Sequence, residues 1–515
     1  MSILEPGSTC WRADVAPNAA LLVDMETYLA AAKAAMQGAM RSIHFLNWAF
    51  DPDTILDHGP DGGSAASQTI GSFLRLLSQE RPDLDIRVLC WKAPLAVAAT
   101  QRFFPLRSLR FFAGSRIDFR LDGALPAGAS HHQKVIVIDD AVAFCGSCDI
   151  GPDRWDTPEH LHPDPRRAKT ADGQTCYDCR HEVMALVNGQ AAASLGTLFR
   201  DRWARATGEV LPPSEVGPTP VWLDGIASAF NDVVVGVSRT QAPWRDFKEL
   251  REGEAALLAA IASAEHTLYF ENQYFTSPII AEALAQRLAE PDGPEIIVVS
   301  TRHSPSWFDQ MTMDKTRSRF LRRLEHADRH QRFRAYSPCT RNGQVIIVHA
   351  KLAVVDDRYV RIGSSNVNNR SEGFDSECDL TLDAGSDPGP APDAVAEFRN
   401  GLVGHWLGCS TAEVATAAAR AGLGEAIEAL RENGHTRLQP LKSERHGAFA
   451  RFIAEYHLGD PISAFDSLRP WRRRAQMRHK LAAAVHRLER AELRAPDVPL
   501  YGPVEVPEVS PMTTN

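Results

Sequence analysis

Two segments of the sequence carry histidine, lysine and aspartate at the same spacing, HxKxxxxD. The residues are His132, Lys134 and Asp139 in HHQKVIVIDD, and His349, Lys351 and Asp356 in VHAKLAVVDD. Lysine supplies a positive charge, and histidine acts as a nucleophile when neutral and as an acid when protonated, so the pair favours chemistry on an anion. An ammonium group repels a metal cation, and carboxylates at ligand spacing are missing. We therefore predict no metal and no cofactor.

The likeness between the two segments continues beyond the motif at unchanged spacing. Both reach a Gly-Ser pair, followed by Asp149 in the first copy and Asn366 in the second. Further along, HEVMALV matches SECDLTL, which aligns Glu182 with Glu377. A structural repeat accounts for repeated apolar positions. Repeated His, Lys and Ser instead favour one catalytic site built from two halves.

The chain is organised as one α/β unit used twice. Each copy has an Ala-rich helical segment before an apolar strand: METYLAAAKAAMQGAM precedes SIHFLNWAF, and GEAALLAAIASA precedes TLYFENQYF. Alternating helices and strands predict α/β layers. We place the lobes at 1–215 and 220–408, a helical tail opened by a Ser410–Glu413 capping box at 409–495, and a disordered segment at 496–515.

The residue types indicate phosphoryl transfer in two steps. One histidine attacks phosphorus to form a phosphohistidine, and the other protonates the leaving alcohol and then deprotonates the incoming water or alcohol. Glu182 and Glu377 are predicted to orient the imidazoles through hydrogen bonds. The Gly-Ser region of each copy is predicted to bind the phosphate oxygens, through Ser147 and Asp149 in the first half and Ser364 and Asn366 in the second.

Asp139 and Asp356 are predicted to have a structural role instead of a catalytic one. Side chains alternate between the two faces of a strand. If His132 and Lys134 lie on one regular strand and share a face, Asp139 points to the other face. The Asp-Asp pairs that end both segments also favour a turn.

These motifs resemble the phospholipase D superfamily, whose signature is a duplicated HxKxxxxD. ENQYF, IGSSNVNNRS and SE in the second half, and AFCGSCDI and RWDTPEH in the first, are similar to the eukaryotic-type phospholipase D branch and its bacterial relatives. The resemblance implies two similar α/β/α sandwich lobes packed about a pseudo-twofold axis, one active site between them and a phosphodiester substrate. It also implies that His132 is the nucleophile and His349 the acid and base. Asp149 departs from the asparagine of many members, which weakens it as a phosphate ligand.

Composition and charge limit the partners. The net charge of −9 disfavours nucleic acid, and two half-sites in one chain favour a monomer. The sequence shows neither a secretory leader nor a long apolar run, so we expect a cytoplasmic protein that contacts phospholipid membranes peripherally. The basic segment 469–494 fits a helix packed on the body of the protein or docked on an anionic membrane.

Two other sequence features concern the first lobe. Two CxxC pairs, Cys145/Cys148 and Cys176/Cys179, have zinc-site spacing, but the first pair surrounds the Gly-Ser turn of the repeat, so we favour no zinc there. The charged segment RWDTPEHLHPDPRRAKTADGQTC is expected to be a solvent-facing loop at the rim of the site.

The leading functional hypothesis is a phospholipase D-like phosphodiesterase. It would hydrolyse or transphosphatidylate glycerophospholipids such as phosphatidylcholine, giving phosphatidic acid and a head-group alcohol. The alternatives are a cardiolipin-synthase-type phosphatidyltransferase, disfavoured because N-terminal membrane helices are not seen, and a nuclease of the same superfamily. A non-enzymatic lipid-binding module is disfavoured because both His/Lys pairs are intact.

Overall fold

The structure is a computed structural model that describes residues 2–58, 69–100, 104–167, 176–214, 222–385, 390–432, 436–444, 447, 452–453, 455–464 and 479–483. The strands in these ranges are β1 (Arg12–Val23), β2 (Ser42–Asn47), β3 (Asp85–Trp91), β4 (Asp118–Asp122), β5 (Val135–Ile138), β6 (Val142–Gly146), β7 (Arg180–His181), β8 (Val183–Asn188), β9 (Phe230–Gln241), β10 (Leu250–Arg251), β11 (Thr267–Asn272), β12 (Glu295–Val299), β13 (Phe333–Pro338), β14 (Ile347–Val348), β15 (Lys351–Val355), β16 (Tyr359–Gly363), β17 (Glu377–Asp383) and β18 (Leu438–Pro440).

The helices connect these strands and pack on both faces of the sheet that they form. They are α1 (Met25–Gly38), α2 (Ile70–Glu80), α3 (Leu95–Thr100), α4 (Phe104–Phe112), α5 (Gln190–Thr207), α6 (Glu252–Ser263), α7 (Pro278–Ala289), α8 (Trp307–Asp309), α9 (Lys315–Ala327), α10 (Asn369–Gly373), α11 (Pro390–Leu407), α12 (Thr411–Ala421) and α13 (Leu423–Glu432).

One long sheet runs through both lobes, in the order β18-β13-β12-β11-β15-β16-β17-β9-β1-β8-β6-β5-β2-β3-β4. Its centre is the antiparallel pair β1–β9, with Arg12 opposite Val237 and Ala19 opposite Phe230. Outward from this pair the two halves have the same order of equivalent strands. The internal repeat of the sequence is therefore a pseudo-twofold repeat of structure, and the α/β fold class is confirmed.

The strands that carry the motifs are buried on both faces. In β5, Val135 and Val137 pack into the core shared by the two lobes, whereas Ile136 and Ile138 pack into the core of the first lobe. This alternation follows from the two-residue period of a strand, and four consecutive β-branched residues suit a strand covered on both sides. The strand thus fixes the position of the polar residues at its two ends.

The tail differs from the predicted purely helical segment. The capping box is confirmed, since Ser410 accepts from the backbone of Glu413 while the Glu413 carboxylate accepts from the backbone of Ser410. After α13, however, the chain returns to the sheet as β18, which pairs antiparallel with β13. Of the basic segment 469–494 only residues 479–483 are described, and they are helical, whereas 496–515 lies outside the described residues.

Residues 154–167 of the predicted solvent-facing loop are packed against the protein, contrary to the sequence-based expectation, whereas 168–175 lie outside the described residues. Over 154–167 most of its charged side chains are buried, and those of Asp156, His160 and Arg167 are at most 1% exposed. Buried charges require partners: Asp156 lies 2.8 Å from His160 Nδ1 and 3.4 Å from Arg167 Nε. Within the part of the chain that the structure describes, no helix is long and apolar enough to cross a membrane.

Candidate active site

The histidine of each motif lies just before its strand, not within it as the sequence suggested. The reason is a backbone contact with the opposite lobe. The His132 N–H donates to the carbonyl of Ser376 at 2.9 Å, and the His349 N–H donates to the carbonyl of His181 at 2.8 Å. Ser376 and His181 immediately precede the two predicted glutamates, so each motif is pinned beside the glutamate of the other lobe.

The two glutamates hold the two histidines in a crossed arrangement. Glu377 of the second lobe lies 2.8 Å from Nδ1 of His132, and Glu182 of the first lobe lies 2.8 Å from Nδ1 of His349. Both carboxylates are fully buried, while the imidazole side chains remain 15% and 8% exposed. When Nδ1–H donates to a carboxylate, the lone pair is on Nε2. Each ring therefore has its reactive nitrogen directed away from its glutamate.

The two lysines supply fixed charge beside the histidines. Their side chains are fully buried, and each Nζ donates to the backbone carbonyl of the histidine in its own motif, at 2.8 Å for Lys134 and 2.6 Å for Lys351. A lysine ammonium has three donors. Each lysine thus keeps donors for a further partner such as a phosphate oxygen.

Burial and the lysine charges keep both imidazoles neutral. Burial, together with Lys134 and Lys351, holds the pKa of His132 well below its usual range. Burial, Lys351 and Arg180 do the same to the pKa of His349. A neutral imidazole is the form that attacks phosphorus. A bound phosphodiester adds a negative charge and favours the imidazolium form needed for proton donation.

Lys351 is predicted to destabilise the fold in the absence of an anion. Burial lowers its pKa to about 7, a shift to which Lys134 adds and which Glu182, Glu377 and Asp149 oppose. The charging cost is therefore largest below pH 7 and disappears as the pH rises toward the unfolded-state value of 10.5.

We expect Lys351→Met to abolish activity and to raise the free energy of unfolding, on the order of a few kcal/mol at pH 6–7. The gain should shrink toward pH 10. Thermal unfolding of both proteins from pH 6 to pH 10 measures it. A variant that is less stable than the native protein at pH 6 would refute the expectation.

Three of the four predicted phosphate ligands are already used within the protein. The Ser147 hydroxyl donates to the carbonyl of Val183 and accepts from its N–H, whereas the Ser364 hydroxyl donates to Glu377. Asp149 accepts from the backbone N–H groups of residues 48 and 49 and lies 3.4 Å from Lys134. These hydrogen bonds position the glutamates and a lysine, and contact of the three side chains with phosphate stays a prediction.

Asn366 is the predicted phosphate ligand whose side chain stays available. Its backbone N–H donates to the Ser371 hydroxyl, but its side-chain Oδ1 is buried with no hydrogen-bond partner among the described residues. A buried amide without a partner is costly unless a ligand completes it. Contact with a phosphate oxygen would use the Nδ2–H donors of this amide, since Oδ1 only accepts, and that contact stays a prediction.

Asp139 and Asp356 lie at the far ends of the motif strands, in left-handed turns with φ of 56° and 51°. The Asp139 carboxylate accepts three backbone N–H groups, from residues 40, 41 and 42, at 2.7 Å each. Asp356 accepts from residues 265, 266 and 267 in the same way. These carboxylates link the turn after each motif strand to the start of the neighbouring strand, β2 in the first lobe and β11 in the second. Both contacts lie away from the histidines.

Two cations near the site were not singled out from the sequence. Arg154 and Arg180 are buried, and their charges act on Asp149, Glu182 and His349. Arg154 belongs to RWDTPEH and Arg180 directly precedes the His181-Glu182 pair. Their proximity to motif residues was the available signal, but only the fold of the segment after Asp153 brings them inward.

The CxxC cysteines do not come together as a four-thiolate site among the described residues. Cys145 Sγ lies 3.7 Å from Cys378 Sγ, whereas Cys176 and Cys179 donate to the carbonyls of Asp164 and His160.

Comparison with known proteins agrees with this geometry. A family model described as the PLD-like domain of cardiolipin synthase matches residues 257–400. Phospholipase D alpha 4 of Arabidopsis thaliana is 24% identical over 449 residues, which cover 65% of this chain and 58% of that protein. Phospholipase D A of Dictyostelium discoideum is 24% identical over 422 residues, covering 68% and 31%. The chain thus spans 58% of the plant relative and 31% of the amoebal one.

Among solved structures, the phosphatidylserine synthase of Haemophilus influenzae shares the fold. The two superpose with a TM-score of 0.51 at 14% identity, over 85% of this chain and 91% of the other. This chain has a two-lobed α/β fold and a duplicated HxKxxxxD motif. The matching family model and the relatives support membership of the phospholipase D superfamily.

Proposed function

We propose that the protein is a phospholipase D-type enzyme that cleaves the head-group side of a glycerophospholipid phosphodiester through a phosphohistidine. The observation that carries this proposal is the crossed pairing of His132 with Glu377 and of His349 with Glu182, with Lys134 and Lys351 alongside. The names of the curated relatives, all phospholipases D, support the lipid substrate.

In the first step, His132 Nε2 attacks phosphorus and forms a P–N bond while the P–O bond to the head group breaks. The protonated His349 gives its proton to the leaving alcohol. In the second step, water or an alcohol loses its proton to His349 and attacks phosphorus, which breaks the P–N bond and restores neutral His132. Lys134 and Lys351 stabilise the charge on the non-bridging oxygens.

The two halves differ in a way that supports His132 as the nucleophile. Besides His132, Glu377 accepts hydrogen bonds from the hydroxyls of Ser364 and Ser371, at 2.5 and 2.7 Å. Glu182 Oε1 has no hydrogen-bond partner among the described residues. A nucleophile gains most from rigid orientation, and His132 is the imidazole with the more firmly held partner.

A substrate panel tests this function. Vesicles of phosphatidylcholine, vesicles of phosphatidylglycerol and single-stranded DNA are offered in parallel, with and without ethanol. We expect phosphatidic acid without ethanol and phosphatidylethanol with it. Conversion of phosphatidylglycerol to cardiolipin would favour phosphatidyl transfer between lipids, the activity suggested by the family model over 257–400. Cleavage of DNA alone would overturn the lipid proposal.

An exposed aromatic pair beside the site fits contact with a bilayer. Trp307 and Phe308 are 74% and 57% exposed on α8. The loop leading to them starts at Thr301, whose hydroxyl exchanges hydrogen bonds with the backbone of Val348, next to His349. Aromatic side chains favour the membrane interface, and this position would bring the site to the lipid surface.

We expect Trp307→Ser combined with Phe308→Ser to lower activity on long-chain vesicles by about 10- to 100-fold, from the apolar area no longer buried. Activity on a soluble short-chain phospholipid should stay unchanged. Met40→Ser is the matched control, because Met40 is 75% exposed but lies beside Asp139, at the opposite end of strand β5 from His132. Equal losses on both substrates would contradict a membrane contact.

A further inference from the structure

We propose that Asp24, His160, His181 and His405 form a structural Zn²⁺ site at the junction of the two lobes. One ligand atom from each of these residues lies within 4.8 Å of the ligand atoms of the other three. Asp24, His160 and His181 belong to the first lobe, and His405 comes from α11 of the second lobe. The site is separate from the catalytic histidines.

Three contacts within the cluster bracket the spacing of ligands around a tetrahedral ion, and its ligand atoms all lie within 4.8 Å of one another. His160 Nε2 lies 3.2 Å from His405 Nε2 and 3.7 Å from Asp24 Oδ2, and His181 Nδ1 lies 3.0 Å from Asp24 Oδ1. Four ligands at about 2.0–2.2 Å from one Zn²⁺ ion would be about 3.3–3.6 Å apart. Three imidazole nitrogens and one carboxylate form a donor set that zinc accepts.

Carboxylates behind two of the imidazoles direct their other nitrogens into the cluster. Asp156 lies 2.8 Å from His160 Nδ1, and Glu271 lies 2.8 Å from His181 Nε2. Glu271 also accepts from the Tyr269 hydroxyl. Metal-bound histidines typically donate their second nitrogen to such a carboxylate, which fixes the tautomer and the ring orientation.

Two polar atoms inside the cluster have no hydrogen-bond partner within the described part of the chain, although both residues are fully buried. They are Asp24 Oδ2 and His181 Nδ1. A proton on His181, shared between Asp24 and Glu271, would satisfy Nδ1 but not Asp24 Oδ2. His160 Nε2 and His405 Nε2, 3.2 Å apart, can share one proton in a hydrogen bond, so Asp24 Oδ2 is the atom that such protonation leaves unpaired. A single cation at the centre satisfies all of these atoms.

The position of the cluster links it to the catalytic geometry. Asp24 Oδ1 accepts from the Glu182 N–H at 3.2 Å, and the Asp24 N–H donates to the Glu182 carbonyl. His181 immediately precedes Glu182, and its carbonyl accepts from the N–H of His349. A cation here would fix the backbone that presents Glu182 to His349 and would fasten α11 to the first lobe.

Metal content tests the site without relying on the proposed phospholipid activity. The full chain is expressed in zinc-supplemented medium, purified and dialysed. Its zinc content is then measured by inductively coupled plasma mass spectrometry. We expect one zinc per chain, falling below a tenth in His405→Gln, whose half-buried position makes misfolding a small risk. His132→Ala and the exposed His326→Ala should keep one zinc per chain, which separates this site from the catalytic one and from surface binding.

A second measurement uses the native protein only, so it does not depend on whether a variant folds. The native protein stripped with dipicolinate is expected to unfold at a lower temperature, to recover on addition of one equivalent of Zn²⁺, and to show the visible absorption of four-coordinate Co²⁺ when cobalt is added instead. Native protein without zinc and without a cobalt spectrum would overturn the proposal. Zinc retained at one per chain in His405→Gln would also overturn it.

Discussion

Glu377→Gln is expected to lower kcat on phosphatidylcholine by about 10³- to 10⁴-fold with little change in KM. The glutamine amide keeps the size of the side chain and accepts one serine hydroxyl, but its NH₂ group faces His132 Nδ1 and favours the tautomer protonated on Nε2. That tautomer has no lone pair for attack on phosphorus. Loss of the carboxylate that orients a catalytic histidine has an effect of this size when the geometry is otherwise intact.

The effect crosses the lobe boundary, because Glu377 lies in the second lobe and His132 in the first. Glu372→Gln is a matched control. Glu372 is a buried carboxyl close in sequence, and burial and Glu254 raise its pKa to about 8, so that glutamine preserves its neutral state at pH 7. Steady-state kinetics on both variants measures the difference. A loss of less than 10-fold in Glu377→Gln would contradict the proposed orientation of His132.

His132→Ala and His349→Ala are each expected to reduce kcat/KM on phosphatidylcholine by at least about 10⁴-fold. The kcat/KM of the double variant should be no lower than that of the less active single variant. Groups that act in one mechanism give non-additive losses, since removal of either one already stops the reaction. Kinetics of the three variants provides the comparison, with His326→Ala as the control for an exposed histidine. Losses that multiply in the double variant would show that the two imidazoles act independently.

The residues of each half of the site could be predicted from the sequence, but the contacts that join the two halves could not. The repeat identified both HxKxxxxD segments, both glutamates and the alternation of helices and strands. It left open which glutamate faces which histidine, since that depends on the pairing of His132 with Ser376 and of His349 with His181 across the lobe junction. Contacts between residues more than 150 positions apart have no local signature.

Two other differences have the same kind of physical cause. Ser147 and Ser364 are polar residues beside the motif, and only the structure shows that their hydroxyls are used by Val183 and Glu377. The segment after Asp153 has the composition of an exposed loop, yet Asp156, His160 and Arg167 are buried and lie close together. Composition gives only the average preference of charged residues for solvent. A charged side chain can be buried when the fold places an oppositely charged partner beside it.

In the proposed reaction His132 becomes covalently bonded to the phosphatidyl group, and His349 resolves the intermediate. A phosphatidyl ester of p-nitrophenol tests it most directly, because p-nitrophenolate leaves without a proton and bypasses the acid. With His349→Asn enzyme we expect a burst of about one p-nitrophenol per chain and a phosphatidyl group on His132, detected by peptide mass spectrometry at alkaline pH. His132→Asn should give neither burst nor adduct. An adduct on His349 in the His132→Asn enzyme would contradict the assignment.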